Sequence, residues 1–134
     1  MEIRSEQSLI DYGKRLADGL KPPAVIELIG DVGAGKTTLT RGIAEGLGVS
    51  EPVTSPSFTI SKRYNFDGGV LVHYDFYRLA DPGIMRDEIA ETLQDKQAIV
   101  VVEWGGSIAD LLPEEHVKIE IKLQDDGARR ILRG

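Results

Sequence analysis

A chain of 134 residues, 41% hydrophobic and 28% charged, is long enough to bury one ordinary core and reads as a single soluble globular domain. Having no cysteine, it is excluded from disulfide frameworks, thiolate metal sites and cysteine nucleophiles, and its redox compartment is not readable from that residue. Sixteen Lys and Arg against 22 Asp and Glu give a net charge of −6, which argues against a chain that holds nucleic acid unaided, since neutralised phosphates supply most of such affinity.

Basic residues gather no further than pairs such as Lys62-Arg63 and Arg129-Arg130. No apolar run approaches the roughly 20 residues that span a bilayer. The opening MEIRSEQSL also lacks the basic-then-apolar order of a secretory signal, so a cytoplasmic protein without membrane contact is expected.

In chain order, Ser5 can cap a helix carrying Leu9, Gly13, Leu16 and Leu20 on one face, which ends before Lys21-Pro22-Pro23. Ala24–Ile29 is a short apolar run ending at Gly30 and reads as a buried strand. Thr37–Leu47 has helical periodicity through Leu39, Ile43 and Leu47, and Gly48 stands where a left-handed cap belongs. Phe58–Phe66 alternates as a strand, and Asp67-Gly68-Gly69 turns it into Val70-Leu71-Val72, which predicts a hairpin. Asp81-Pro82 would start a helix through Ile84, Met85, Ile89 and Leu93. Ala98–Val102 is the second fully apolar strand, closed by Glu103-Trp104-Gly105-Gly106. A short helix near Ile108–Leu112 follows, then a strand over His116–Leu123 and a turn at Asp125-Asp126-Gly127 into Arg129–Leu132. Fully apolar strands joined to helices, beside half-exposed hairpins, predict a three-layer α/β domain over residues 1–134 with a mixed sheet, parallel in its centre with antiparallel hairpins.

The most informative stretch is Gly30-Asp31-Val32-Gly33-Ala34-Gly35-Lys36-Thr37, which fits the phosphate-loop pattern G-x-x-x-x-G-K-[ST], with Thr38 behind it. Glycines let successive backbone N–H groups turn inward around phosphate oxygens, and the following helix presents its positive end to them. Lys36 would reach the β- and γ-phosphates of a nucleotide, and the Thr37 hydroxyl would sit on Mg²⁺. Such a loop needs an acidic partner for the metal, and of the two buried runs only Ala98–Val102 ends in a carboxylate, Glu103.

Other polar segments leave alternatives open. Trp104 fits a place beside the nucleotide or simple packing. Thr54-Ser55-Pro56-Ser57 fits either a γ-phosphate switch or ordinary turn chemistry. If its strand continues, His73-Tyr74-Asp75-Phe76-Tyr77-Arg78 places His73, Asp75 and Tyr77 on one face, where they could orient water or metal. An Asp75–Arg78 surface pair with His73 satisfied locally fits the spacing equally. His116 reads as a strand residue only.

Taken together and in this order, GDVGAGKTT, TSPSFTI, HYDFYRL and VVVEW resemble the TsaE (YjeE) family, small bacterial ATPases required for threonylcarbamoyladenosine formation on tRNA. The resemblance runs from the first helix to Arg129-Arg130. It implies a P-loop NTPase-like fold in which Asp31, Val32, Gly33, Ala34, Gly35, Lys36, Thr37 and Thr38 bind ATP and Thr37 and Glu103 hold Mg²⁺. It also implies that Asp75 serves hydrolysis together with Lys36, that Thr54, Ser55, Pro56, Ser57 and Phe58 form a switch, and that Trp104 lies near the nucleotide. Family members dock on TsaD, the transferase, and its partner TsaB, and meet tRNA only through that complex. Val32 replaces the usual Leu, and Gly105-Gly106 replace the frequent Pro-Glu or Ala-Glu.

A small-molecule P-loop kinase is the main rival, though the chain shows no arginine-rich lid. A GTPase switch lacks N-K-x-D and D-x-x-G, and a purely structural module leaves the glycine loop and Glu103 unexplained. No arginine can be assigned to the γ-phosphate from the motifs, since Arg41 and Arg78 could both face solvent. An accessory ATPase that turns over slowly by itself is therefore expected.

Overall fold

Two largely apolar runs of sequence, Ala24–Ile29 and Ala98–Glu103, each carrying one glutamate, lie side by side at the centre of the sheet and set where everything else packs. The structure is a computed structural model that describes residues 2–31, 33–54, 61–76 and 83–134, the side chains of Ile84, Gly105 and Ser107 excepted. Its elements are β1 (Glu2–Ile3), α1 (Glu6–Asp18), β2 (Ala24–Ile29), α2 (Lys36–Leu47), β3 (Ser61–Phe66), β4 (Gly69–Asp75), α3 (Ile84–Thr92), β5 (Ala98–Glu103), a 3-10 helix (Gly105–Leu111), β6 (Val117–Leu123) and β7 (Arg129–Arg133). The described strands form one seven-stranded sheet in the order β1-β7-β6-β2-β5-β4-β3. β6, β2, β5 and β4 are parallel, and the flanking β3, β7 and β1 join antiparallel. This is the mixed α/β sheet that the apolar runs and hairpins predict.

Every residue of β5 is buried, as a central parallel strand covered on both faces requires. On one face α1 and α2 lay Leu9, Leu16, Leu39 and Ile43 against Ile26, Leu28, Leu71, Ile99 and Val101. On the other, Ile89 of α3 and Ile108 of the 3-10 helix meet Val72, Tyr74, Phe76, Val100 and Val102. The two helices of the first face approach backbone to backbone. A Cβ on Gly13 would come within 2.7 Å of the Leu39 carbonyl, and one on Gly42 within 2.9 Å of the Ile10 Cα.

Helix ends follow their local chemistry. The Ser5 hydroxyl accepts the Ser8 N–H at 3.0 Å and caps α1, a contact worth about 1 kcal/mol. Gly48 closes α2 in the left-handed conformation, φ 90°, with its N–H turned to the Ala44 and Glu45 carbonyls.

One element is new and two expectations are corrected. β1 is too short to carry a periodic pattern, yet it pairs with β7 and buries Ile3. The helix after β5 is of the 3-10 type and starts at Gly105, immediately after the strand. His116 lies just outside β6, where its Nε2 meets Glu27 at 3.0 Å and its Nδ1 the Pro113 carbonyl at 2.6 Å, so it ties the entry of β6 to β2. The start of the strand expected from Phe58 and the Asp81-Pro82 helix start lie outside the described residues.

Because the central strands are parallel, their C-terminal ends share one edge. Glu103 stands opposite Leu28 on one side and Asp75 on the other. The glycine loop leaves β2 at that same edge.

Candidate functional site

The loop between β2 and α2 takes its shape from its glycines. Gly33 and Gly35 sit at φ 83° and 113°, a region that side chains with a Cβ rarely enter. Gly35 stands at the N-cap of α2 without a side-chain cap, and the first turn carries no acidic residue. The first-turn N–H groups therefore have no side-chain acceptor at the cap, and the positive end of the helix dipole faces the loop.

Lys36 crosses back over this loop. Its Nζ donates to the Gly30 carbonyl and, at 3.2 Å, to that of Asp31, and it lies 4.1 Å from the centre of the Trp104 ring. A nearly buried ammonium is thus held by two carbonyls and an aromatic face, a cation–π arrangement. Trp104 reaches that position from a left-handed backbone, φ 58° and ψ 43°, which costs a non-glycine residue on the order of 1 kcal/mol. Its indole is half-buried against the α3-side cluster and carries the Lys36 ammonium over its ring. A cleft of about 420 Å³ opens there, lined in part by Gly30, Asp31, Trp104, Lys122 and Leu123.

Thr37 and Thr38 occupy the first turn of α2, both half-buried, and Thr40 turns its hydroxyl back to the Lys36 carbonyl at 2.9 Å. Glu103 closes β5 with 3% of its surface exposed, far from the surface carboxylate that a strand end would allow. Its Oε2 is bonded to Nε2 of His73, which is completely buried on β4. The partner of His73 is therefore a residue 30 positions away rather than a local one. β4 continues to Asp75, so His73 and Asp75 share a face as the alternation requires. Asp75 is half-buried and in direct register with Glu103.

Thr54 is fixed by Tyr64, whose hydroxyl accepts its N–H and donates to its carbonyl, both at 3.3 Å, and by Lys62, which donates to its Oγ1. Ser55, Pro56, Ser57 and Phe58, together with Val32, Tyr77 and Arg78, lie outside the described residues.

One site residue escaped the motifs. Arg129, at the start of β7, donates from Nε to the Ala34 carbonyl at 2.6 Å and packs over Gly35. Arg41, by contrast, turns away to Glu6 at 3.4 Å. The hint lay in the Asp125-Asp126-Gly127 turn, but only the parallel pairing of β6 with β2 brings that turn to the glycine loop.

Among the described residues no three His, Asp or Glu side chains converge as a self-sufficient metal cage. One buried carboxylate and one first-turn hydroxyl are the donor set suited to Mg²⁺ that arrives with phosphates, since this ion keeps waters and substrate oxygens for most of its shell.

A glycine loop between a central parallel strand and a helix N-terminus, with an acidic residue closing the adjacent parallel strand, is the layout of the P-loop class of α/β proteins. Within that class the chain belongs to the TsaE family. The family model described as threonylcarbamoyl adenosine biosynthesis protein TsaE matches residues 3–131. A tRNA threonylcarbamoyladenosine biosynthesis protein TsaE from Haemophilus influenzae is 37% identical over 134 residues, covering 96% of this chain and 84% of the relative. The protein of the same name from Bacillus subtilis is 44% identical over 111 residues, 83% and 69% of the two chains. A crystal structure of Bacillus subtilis YdiB superposes with a TM-score of 0.81 at 37% identity, covering 98% of this chain and 80% of that one. Among the described residues no helix is long and apolar enough to cross a membrane.

Proposed function

We infer that the protein is a Mg²⁺-dependent ATPase that supports threonylcarbamoyl transfer to adenosine in tRNA by docking on a TsaB–TsaD pair. The observation that carries this reading is the pairing of Lys36, folded over a glycine loop, with a buried Glu103 on the neighbouring parallel strand. Backbone N–H groups of the loop and Thr38 would take phosphate oxygens, and Lys36 would exchange its two carbonyls for the terminal phosphates. Thr37 and Glu103 would hold Mg²⁺, which when bound neutralises charge between the β- and γ-phosphates. Asp75, beside Glu103, would orient the attacking water. Thr54, with the Ser55–Phe58 stretch that follows it, would sense the γ-phosphate.

Turnover by the chain alone is expected to be slow. Arg129 is tied to the Ala34 carbonyl and Arg41 to Glu6, so neither is poised over a terminal phosphate. Fast P-loop enzymes gain about 10³–10⁵ in rate from such an arginine. A protein partner would supply or order the missing group, and tRNA would be met only through that complex, in keeping with the net charge of −6. The compartment that follows is the cytoplasm.

The test is the ATPase rate of the purified chain with and without a TsaB–TsaD pair from the same cell. Slow basal hydrolysis that the pair accelerates is the expected result, and Asp75→Ala should remove the accelerated rate while nucleotide affinity stays within about threefold. Turnover by the chain alone at tens per second, comparable to fast phosphotransfer enzymes, or equal stimulation by tRNA alone, would overturn the reading.

A further inference from the structure

We propose that His73 is the positioning residue of the metal site: it fixes the Glu103 carboxylate in the orientation in which Glu103 can serve as a ligand. The proposal rests on the ATPase reading and adds to it a residue that touches neither phosphate nor ion.

Glu103 is buried, and burying a carboxylate is costly unless hydrogen bonds replace its water. His73 is that replacement, a completely buried ring whose Nε2–H donates to Oε2. Among the described residues the Glu103 carboxylate has no other hydrogen-bond partner, so Oε1 is the carboxylate oxygen that His73 leaves unoccupied. Parallel pairing fixes the geometry further, because His73 stands opposite Val101 and Asp75 opposite Glu103, so the imidazole lies one side-chain repeat behind the carboxylate on the same face. The ring is completely buried. Its Nδ1 is buried without a partner, so no second hydrogen bond among the described residues competes for its orientation or explains its presence in the core. A histidine kept only for packing would be better replaced by an apolar side chain of the same size. Carboxylate and imidazole ligands in metal sites are held by such outer partners, and their loss lowers metal affinity about 10- to 100-fold.

The test compares substitutions that differ in reach. Gln places an amide N–H near the position of Nε2, whereas the shorter Asn places it near Nδ1. Calorimetric titration of ADP into the full chain, with and without Mg²⁺, gives metal-free affinity and Mg²⁺ response separately. His73→Asn and His73→Ala should raise the Mg²⁺ concentration for half-maximal response at least tenfold, with metal-free ADP affinity within twofold of the original. His73→Gln should restore the response to within threefold. In a Glu103→Gln background His73→Asn should add no further shift, because the effect runs through the carboxylate. The Asn and Gln variants both keep a polar amide in the core, so their difference survives even if His73→Ala does not fold. An unchanged Mg²⁺ response in His73→Asn, equal losses in the Asn and Gln variants, or a shift that persists without Glu103 would overturn the proposal alone. Failure of the unaltered chain to bind ADP would overturn the nucleotide reading, and the role of His73 with it.

Discussion

The two faces of the sheet are made by the same strands and differ in what they bury. Alternation along β4 and β5 sends Leu71, His73, Ile99, Val101 and Glu103 towards α2, and Val72, Tyr74, Val100 and Val102 towards α3 and the 3-10 helix. On the α3 side the buried phenol of Tyr74 is completed within the face, donating to Thr92 Oγ1 at 2.7 Å. On the α2 side lie a buried lysine, a buried histidine and a buried glutamate, with the lysine and the glutamate held by separate partners. On the α3 face Glu88 Oε2 is buried without a partner among the described residues, whereas the α2 face gathers its buried charges at the end where the parallel strands stop. Stability and nucleotide chemistry should therefore separate by face.

The largest expected effect is on the face without chemistry. Ile89 is fully buried at the α3 contact, and Ile89→Ala should lower unfolding free energy by about 2–5 kcal/mol in denaturant titration. Nucleotide affinity below the unfolding transition should not change; a loss of ADP binding there would break the division. The reciprocal variant is Lys36→Ala. Removing a charge-assisted partner of phosphate oxygens should weaken ATP binding about 100-fold by calorimetry, roughly 2.7 kcal/mol. A variant that instead binds ATP normally would move the site off the α2 face.

Much of this division is legible in the sequence. The apolar runs at Ala24–Ile29 and Ala98–Val102 mark the central strands because both faces of a parallel strand are covered, and the glycine loop marks the edge where chemistry belongs. What could not be read is contact across the sheet. His73 and Glu103 are 30 residues apart, and only the β4–β5 register makes them partners. Arg129 is 95 residues from Ala34 and reaches it because β6 lies parallel to β2, an order that hydrophobic pattern does not encode. His116 departs from its expected strand for a simpler reason: alternation from Val117 extends back over it, while its ring is bound to the Pro113 carbonyl and to Glu27 just before β6 begins.

A variant on the α2 face can lose stability and disturb the site together. Gly13→Ala adds a methyl where the Leu39 carbonyl and the Ile43 N–H approach within 2.8 Å of the new atom, and backbone cannot yield as a side-chain end can. Overpacking of that kind should cost about 1–3 kcal/mol in thermal or chemical unfolding. The comparison sharpens if α1 shifts outward as a body, because Leu9 lies against Gly35 of the glycine loop. ADP affinity should then fall with stability in Gly13→Ala, unlike in Ile89→Ala.

The smallest effect is the most diagnostic of a face closed to solvent. Burial foremost, and then the Glu88 carboxylate, hold the Tyr74 phenol well above its ordinary range, with Thr92 opposing. Tyr74→Phe removes its hydrogen bond to Thr92 and should cost about 1 kcal/mol at neutral pH. The pH dependence has a fixed sign. With the folded-state pKa raised, the folded chain keeps a proton that the unfolded chain releases from about pH 10, so the tyrosine's contribution is whole below that value and falls as pH rises. At about 1.4 kcal/mol per pH unit, the advantage of the unaltered chain over Tyr74→Phe should vanish between about pH 10.5 and 11 and reverse beyond it. Every other group is common to both chains, so its contribution cancels in the difference. Denaturant titrations of the pair at pH 8, 10 and 11 would show this crossing; parallel stability curves across that range would mean that the Tyr74 hydroxyl is reached by solvent, and that the α3 face is not closed.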